Sequence, residues 1–528
     1  MNESDFRYCR LRGKNTLYIC GTDEYGTATE TKAIEEGTTP KELTDKYHRL
    51  HSQIYHWFNI SFDKFGRTSN EQQTKVCQEI FWKLYNRGFL EEQTIEQLFC
   101  VDCERFLADR FVEGICPYCS FEDARGDQCD KCGKLINAPE LKEPKCKLCR
   151  RAPIMRNSKH LFLNLPKIEP QLNEWFEITV GRDETPQEAG QAEVTGKNDN
   201  HWTNTAKVIV RSWLRDGLKS RCITRDLKWG VPVPLPGFEN KVFYVWYDAP
   251  IGYISITASL TDEWEKWWKN PDQVQLYQFM AKDNVPFHSI IFPSMLLATG
   301  DRYTLCNHLI GIDYLNYEDS KFSKSRGIGV FGNDAMQTDI PADIWRFYLL
   351  FVRPESQDSS FSWADLQARN NSELLNNLGN FINRALSFLS KNFDGKIAEM
   401  KLQPEDVRLL ANINRELQQY CRQMDSVRLR DAIKHILNIS RLGNQHVQST
   451  SAWTLIKGTD EERARAWTIM SICANIAALL CLMISPYMPT LAQTLRIQLN
   501  LRQTKLINEQ FVQFLSPGHT IGTVSTIT

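Results

Sequence analysis

Net charge is what this sequence most plainly lacks. Its 528 residues carry 63 basic and 64 acidic side chains, a formal charge of -1. No chain-wide field draws it toward nucleic acid, so any such binding has to come from local patches. Acidic and basic tails are absent too. Residues 1–12 contain neither the apolar core of a secretory leader nor a transit-peptide pattern, and the chain is expected in the cytosol, away from membranes. Long apolar runs are also missing. The longest, residues 472–484, is interrupted by Asn475 and is too short to cross a bilayer, so it reads as a buried helix. With 42% hydrophobic and 24% charged residues the composition is that of a soluble globular protein. Its length exceeds what one core can hold and implies about three or four domains.

Cysteine, by contrast, is plentiful and unevenly placed. Of 16 cysteines, eight form four Cys-x-x-Cys pairs: Cys100 and Cys103, Cys116 and Cys119, Cys129 and Cys132, Cys146 and Cys149, with 12, 9 and 13 residues between pairs. In a large chain without a secretory leader this points to metal rather than disulfides. A Cys-x-x-Cys turn aims two thiolates at one tetrahedral ion, and two turns complete a closed structural zinc site. Eight ligands therefore predict two structural Zn(2+) ions. The nearest pairs, Cys116/Cys119 and Cys129/Cys132, can close over each other and leave Cys100/Cys103 with Cys146/Cys149 as an outer site; an interleaved arrangement is the alternative. The basic residues around the last pair, Lys142, Lys145, Lys147, Arg150 and Arg151, read as a solvated face rather than a phosphate patch.

Several stretches have the order of an α/β nucleotide fold. Residues 6–12 read as the end of a helix. The apolar run at 16–20 reads as a buried strand closing on the polar turn 21–26, and a helical stretch follows from Thr29. Ligands in such folds sit at the carboxyl ends of strands, which places Asp23 to meet one; it serves equally well as a helix cap. His48 and His51 fall within a helical pattern with Ile54, Tyr55 and Phe58 and take a half-exposed structural role. Residues 180–205 read as a polar surface insertion. A β-rich run at 242–247 ends on a turn at 248–253, and a second strand at 276–280 leads to a helix that Pro286 opens, with His288 in its first turn. Trp246, Tyr253 and Phe287 suit either a plain core or a pocket for a thioether, since sulfur packs well against rings.

Further on, Lys321, Ser323, Lys324 and Ser325 precede Gly327 and Gly329. Two lysines on flexible stems, with hydroxyls and backbone N–H groups, suit a polyphosphate grip. From about residue 341 the spacing is helical, with segments at 341–352, 372–392, 405–442 and 462–498 predicting a bundle. Asn380 and Arg384 share a helical face, as capping and salt-bridge residues or as readers of a base edge.

In their order, the motifs CGTDEYGTATE (20–30), the four cysteine pairs, ITRDLKWGVPVP (223–234), YVWYDAPIGY (244–253), KDNVPFHS (282–289) and KFSKS (321–325) resemble the class I methionyl-tRNA synthetases, most closely the eukaryotic cytosolic form. KFSKS resembles the family's KMSKS signature, with Phe322 in the variable position. The resemblance implies an α/β fold: a class I Rossmann-like catalytic domain with a zinc-knuckle insertion, followed by an α-helical anticodon-binding bundle. It divides the chain into residues 1–95 and 242–313 for the two halves of the Rossmann-like domain, 96–241 for the connective insertion with knuckles at 100–149, 314–369 for the KMSKS loop and stem-contact region, and 370–528 for the anticodon-binding domain.

The implied reaction is ATP-dependent activation of L-methionine to methionyl-adenylate, with Mg(2+)-ATP as substrate, and transfer to tRNA(Met). By resemblance, Lys321 and Lys324 are catalytic and, with Ser323, hold ATP. Asp23, Trp246, Ala249, Pro250, Tyr253 and His288 bind methionine, and Asn380, Arg384 and Trp453 read the anticodon, where bases stack on aromatic or guanidinium planes. A place in a multi-synthetase assembly is left open. One departure is expected to matter. The family's first strand and its HIGH signature should precede Phe6, where only five residues stand, so the first half of the Rossmann-like domain is expected to be incomplete and both folding and activation impaired. A truncated chain accounts for this, as does a non-catalytic paralogue acting as a zinc-containing tRNA-binding protein. Another class I ligase for an aliphatic amino acid would share the KMSKS loop but not the 246–253 pocket.

Overall fold

The computed structural model describes residues 3–107, 111–126, 129, 131–132, 136, 138–181, 201–322, 327–502 and 506–525. They form two compact units, one of Ile19–Ser52 and Phe62–Gly311, the other of Met1–Tyr18, Gln53–Ser61 and Ile312–Thr528.

In the first unit β1 (Ile19–Thr22) pairs in parallel with β2 (Lys64–Arg67). The strand lies later than the apolar run at 16–20 predicts and is half-buried rather than buried. Its pairing of Gly21 with Gly66 explains the shift. A Cβ on Gly21 would lie 2.5 Å from Ile256 Cδ1, and one on Gly66 2.7 Å from Ile256 Cγ1. The two glycines thus let the Val245–Leu260 helix lie flat on the strands. The insertion holds β3 (Leu90–Cys100), β4 (Arg105–Phe106), β5 (Val112–Ile115), β6 (Ala124–Arg125), β7 (Lys142–Cys146), β8 (Ile154–Leu163) and β9 (Arg221–Cys222). These make two antiparallel sheets, ordered β4-β3-β8-β9 and β6-β5-β7. β10 (Thr224–Arg225) pairs with β11 (Val242–Phe243), and β12 (Leu276–Ala281) with β13 (Cys306–Ile312). The polar stretch predicted at 180–205 falls mostly on residues outside those described.

One prediction is overturned here. The β-rich run at 242–247 is a strand for only two residues, and the Val245–Leu260 helix then carries the stretch expected to be a turn. An apolar run rich in aromatics fits a buried helix as well as a buried strand, and period alone does not separate them. Pro250 sits inside this helix and supplies no N–H to the Trp246 carbonyl. Burial keeps the helix in place: the Tyr247 hydroxyl donates to the Cys77 carbonyl at 2.9 Å, and Gln73 Nε2 to the Asp248 carbonyl at 2.6 Å.

The second unit is mainly helical. β14 (Leu315–Tyr317) pairs in parallel with β15 (Ser359–Phe361). The helices Ala342–Phe351, Pro404–Asp425, Leu429–Thr450, Asp460–Ile484 and Pro489–Gln498 pack with the helix Asn380–Phe393, which continues a π-helical segment, Asn370–Gly379. The predicted segment 405–442 divides where Val427 takes a left-handed backbone, φ 56°. The segment 462–498 divides at Pro486 and Pro489, which cannot supply helical N–H donors. The apolar run at 472–484 is buried as predicted. Its Asn475 accepts from the Leu515 N–H at 2.8 Å and donates to the Leu515 carbonyl at 3.3 Å, clamping the carboxyl-terminal segment to the core. The helix Glu3–Leu11 is tied in by a buried ion pair between Glu3 and Arg346. That guanidinium also donates to the carbonyls of Pro486, Tyr487 and Phe58.

Candidate active site and metal-binding tetrads

Trp246, Ala249, Pro250 and Tyr253 fall at positions i, i+3, i+4 and i+7 of the Val245–Leu260 helix, hence along one face. Trp246 meets Phe287 edge-on, ring centroids 4.9 Å apart. His288, in the π-helical turn Phe287–Ile291, lies next to it. His288 Nδ1 is 2.8 Å from the Asn284 carbonyl, which accepts only from a protonated nitrogen, so Nε2 is the acceptor for the Tyr253 hydroxyl at 2.8 Å. Burial lowers the His288 pKa, and the bond to Asn284 opposes this. A neutral ring of fixed tautomer is the result.

Asp23 follows β1. It is not a helix cap: the next helix, Thr27–Glu35, is capped at Gly26 without a side-chain bond. The residue is exposed, with protein crowding its carboxyl. Loss of water pushes its pKa up to about 7, against a bond from the Tyr25 backbone. Asp248, which sequence reasoning passed over, is fully buried, and neither carboxyl oxygen has a hydrogen-bond partner among the described residues. Burial raises its pKa strongly, and the nearby Asp23 carboxylate raises it further. No lysine or arginine pairs with either carboxyl among the described residues. The signal for Asp248 was an acid inside an apolar helix. Arg221 was also missed; its guanidinium stacks over Trp213 at 5.2 Å and Trp246 at 5.8 Å.

His48 takes the structural role predicted for it. Its ring stacks on Phe65 at 4.9 Å, and Nδ1 lies 2.9 Å from Thr22 Oγ1.

The cysteines converge in the nested arrangement. Cys100, Cys103, Cys146 and Cys149 form one group, and Cys116, Cys119, Cys129 and Cys132 the other, with the sulfurs of each group within 4.8 Å of one another. Each tetrad could hold a metal ion. Three of the turns are followed by a residue in the left-handed region, Glu104, Ser120 and Arg150, which folds the backbone around the thiolates. Ser120 N–H donates to the Cys116 carbonyl at 3.0 Å and Arg150 N–H to the Cys146 carbonyl at 2.8 Å. Lys147, Arg150 and Arg151 pair with Glu35, Glu113 and Asp102 at 2.7, 2.5 and 2.5 Å, a solvated face as predicted.

In the helical unit Lys321 is exposed, with Nζ 6.0 Å from the Tyr314 ring centroid. Phe322 anchors the start of the loop against Tyr317 and Phe331, at 5.5 and 6.0 Å. Its ring also explains Gly329, where φ is +125° and a Cβ would lie 2.3 Å from Phe322 Cδ1. Ser323 and Lys324 lie outside the described residues. Asn380 and Arg384 share a face of one helix. Asn380 sits within a continuous helical run, so it is not a cap, and among the described residues Arg384 makes no ion pair. Its guanidinium lies 5.3 Å over the Trp453 ring, and Trp453 is 37% exposed.

The family model for class I tRNA synthetases (M) matches residues 4–386, and that for the anticodon binding domain of methionyl tRNA ligase matches residues 398–527. The chain belongs to the class I methionyl-tRNA synthetases. It is 61% identical over 522 residues to the cytoplasmic methionine–tRNA ligase of Xenopus laevis and 61% identical over 524 residues to that of Homo sapiens, in each case covering 99% of this chain and 56% of the relative. The Arabidopsis thaliana cytoplasmic methionine–tRNA ligase is 49% identical over 535 residues, 98% of this chain and 65% of the relative. The chain thus spans little more than half the length of the animal synthetases it matches. In fold it resembles a Mycobacterium tuberculosis methionyl-tRNA synthetase structure bound by methionyl-adenylate, with TM-score 0.79 and 20% identity, over 99% of this chain and 94% of that one. The α/β unit with its cysteine-rich insertion and the helical bundle are the two architectural parts of this synthetase family.

Proposed function

We propose that the chain activates L-methionine with ATP, as its Mg(2+) complex, to methionyl-adenylate with release of pyrophosphate, and transfers the methionyl group to tRNA(Met). The observation that carries this is a helix face in the first unit: Trp246, Ala249, Pro250 and Tyr253 share one side of the Val245–Leu260 helix, Tyr253 is bonded to His288, and Asp23 has no cationic partner among the described residues. The Trp246 ring, with Ala249 and Pro250 on the same face, suits a polarizable thioether. Asp23, as carboxylate, takes the substrate ammonium. His288 is held neutral and orients Tyr253 rather than exchanging protons. Lys321 and Lys324, with Ser323, grip the polyphosphate and stabilise the charge that develops on pyrophosphate. That work is positioning and electrostatics, with no covalent intermediate on the protein.

The ion in each cysteine tetrad is zinc in this reading. A tetrahedron with Zn–S bonds of about 2.3 Å sets sulfurs roughly 3.8 Å apart; the closest pairs here are 3.4, 3.9, 3.9 and 3.6 Å. Four thiolates leave no open position for substrate, so each ion staples the insertion. Arg384 and Trp453, with Asn380, offer a stacking platform to splayed anticodon bases. The five-part domain division, with boundaries after residues 95, 241, 313 and 369, belongs to the same reading. So does a cytoplasmic location, which the names of the relatives support, and a place in a multi-synthetase assembly.

Methionine-dependent ATP–pyrophosphate exchange, together with quenching of tryptophan fluorescence by L-methionine, tests the proposal. Methionine is expected to give both signals and isoleucine neither. A chain that binds isoleucine as well as methionine, or neither amino acid, would refute it.

A further inference from the structure

Arg221 carries a half-buried charge that the proposed reaction does not use. It opens β9, where it pairs with Leu163 of β8. The residue is half-buried, and its Nε is buried without a hydrogen-bond partner among the described residues. Other half-buried cations of this unit sit against carboxylates: Arg67 against Glu24 and Asp45, Arg105 against Glu30, Lys241 against Asp226. Arg221 makes no ion pair among the described residues. Taking a charge out of water without a partner is unfavourable, so something other than a carboxylate compensates it. Two indoles do. The guanidinium carbon lies 5.2 Å from the Trp213 ring centroid and 5.8 Å from that of Trp246, both within the ~6 Å over which a ring face attracts a cation. A planar, weakly hydrated guanidinium is the cation that stacks on such faces.

The stack continues beyond Trp246. That ring tilts against Tyr244 at 5.4 Å and meets Phe287 edge-on at 4.9 Å, while the Arg225 guanidinium lies 3.7 Å over Tyr244. A row of rings and cations therefore runs from Trp213 on the Asn204–Arg215 helix, through Arg221, to Trp246 and Tyr244 at the start of the Val245–Leu260 helix, and on to Arg225. Backbone bonding is thin at this helix start. The Tyr247 and Asp248 N–H groups both donate to the Tyr244 carbonyl, at 2.8 and 3.3 Å, whereas the Trp246 carbonyl receives no N–H from Pro250, four residues on. The direction of the Trp246 indole thus falls to the groups packed on it, and Arg221 is the one that reaches it from another element with a charge.

We propose that Arg221 is a positioning residue for the amino-acid site: its guanidinium, shared by the Trp213 and Trp246 rings, holds the Trp246 indole in the orientation that meets the substrate side chain. The link to substrate rests on the proposed methionine site; the hold on the ring does not. Arg221 acts through the indole and touches no reacting atom. It raises affinity by setting the wall before substrate arrives and leaves the chemical step alone. Binding of this kind, equal in ground state and transition state, shows in KM with kcat unchanged. A guanidinium that instead paired directly with a phosphate would show in the KM for ATP.

The test uses the full chain labelled with 5-fluorotryptophan, in which the Trp246 fluorine signal is assigned by its loss in Trp246→Phe. Without any substrate, Arg221→Gln, which is neutral, is expected to shift and broaden that signal. Arg221→Lys, which keeps the charge but not the plane, should bring it part-way back. The other tryptophan signals, Trp213 apart, are the folding control. In methionine-dependent ATP–pyrophosphate exchange R221Q should raise the methionine KM about fivefold, the size of a cation–ring contact of this kind, with kcat and the ATP KM held within about twofold. A Trp246 signal that R221Q leaves unchanged overturns the positioning role, as does R221K behaving no better than R221Q. A displaced signal with an unaltered methionine KM overturns the link to substrate, and a rise confined to the ATP KM assigns the cation to phosphate instead. If the unaltered chain gives no exchange, the proposed activity is refuted, and the indole signal still decides whether Arg221 holds the ring.

Discussion

Methionine binding should release a proton, and the amount should follow the titration of Asp23. The perturbation is pH. Crowding by protein raises the carboxyl of the exposed Asp23 to about 7, while Asp248 beside it is fully buried and burial raises its pKa strongly. The two acids titrate as a pair, and Asp23, which solvent reaches, is the member that ionises. For stability the sign is clear. A carboxyl whose folded pKa lies above its unfolded value favours the fold at low pH. That contribution is lost as pH rises from about 4 to about 7. For binding the sign reverses, because only the carboxylate attracts the substrate ammonium.

With a pKa of about 7 the free protein holds on Asp23 about 0.9 proton at pH 6, about 0.5 at pH 7 and about 0.1 at pH 8, and binding should release these fractions. Methionine affinity should therefore rise about tenfold between pH 6 and pH 8. Isothermal titration in buffers of different ionisation enthalpy counts the protons directly. Asp23→Asn should remove the pH dependence and weaken binding at pH 8. Binding that releases no proton at pH 6, or D23N with unchanged methionine affinity, would refute the assignment.

Cys116→Ser should lower bound metal from two ions to one per chain, read by elemental analysis, because the tetrads share no ligand; loss of both ions would show that the sites are coupled. Asn475→Leu should destabilise the helical unit by ~2 to 6 kcal/mol, since it leaves the buried Leu515 N–H and carbonyl without partners at ~1 to 3 kcal/mol each; a thermal melt unchanged within about a degree would contradict this. Arg384→Ala or Trp453→Ala should weaken binding of tRNA(Met) by ~1 to 3 kcal/mol, the usual range for a lost base-stacking contact, and should narrow the preference for its anticodon over others, measured by filter binding. Glu24→Gln should lower stability by ~2 to 4 kcal/mol through its buried pair with Arg67, a loss visible by thermal unfolding, whereas D23N should leave stability unharmed.

What the sequence made legible was chemistry carried by spacing. The cysteine pairs predicted two tetrads because a two-residue turn constrains both sulfurs locally. Only the choice between nested and interleaved pairing needed the fold, which brings β5, β6 and β7 into one sheet. The 244–253 stretch was not readable as a helix. Its side chains are mostly apolar, which blurs the period, and burial sustains the helix despite the N–H missing at Pro250. Asn475 looked like an interruption and is instead a clamp, since its partner at Leu515 lies 40 residues on. The Arg346 network was invisible for the same reason: it joins Glu3, Phe58 and Tyr487, residues that only the folded chain makes neighbours.

The acids of the 20–30 segment show how the structure separates scaffold from ligand site where sequence could not. Asp23, Glu24 and Glu30 read alike in the motif, yet the fold compensates two of them. Glu24 accepts from Arg67 Nε at 2.9 Å and Thr22 Oγ1 at 2.7 Å, with Ser69 as a third donor. Glu30 accepts the N–H groups of Lys228 and Trp229 at 2.8 and 2.7 Å and faces Arg105 at 3.6 Å. Those bonds fasten the segment to β2 and to the 223–234 stretch, and a buried charge so satisfied has nothing left for a substrate. Asp23 receives only a backbone contact, and its neighbour Asp248 has no partner for either oxygen among the described residues. The fold thus neutralises two of the acids with bonds of its own and leaves the third without a cationic partner among the described residues. That uneven compensation is why D23N is predicted to act on binding and E24Q on stability.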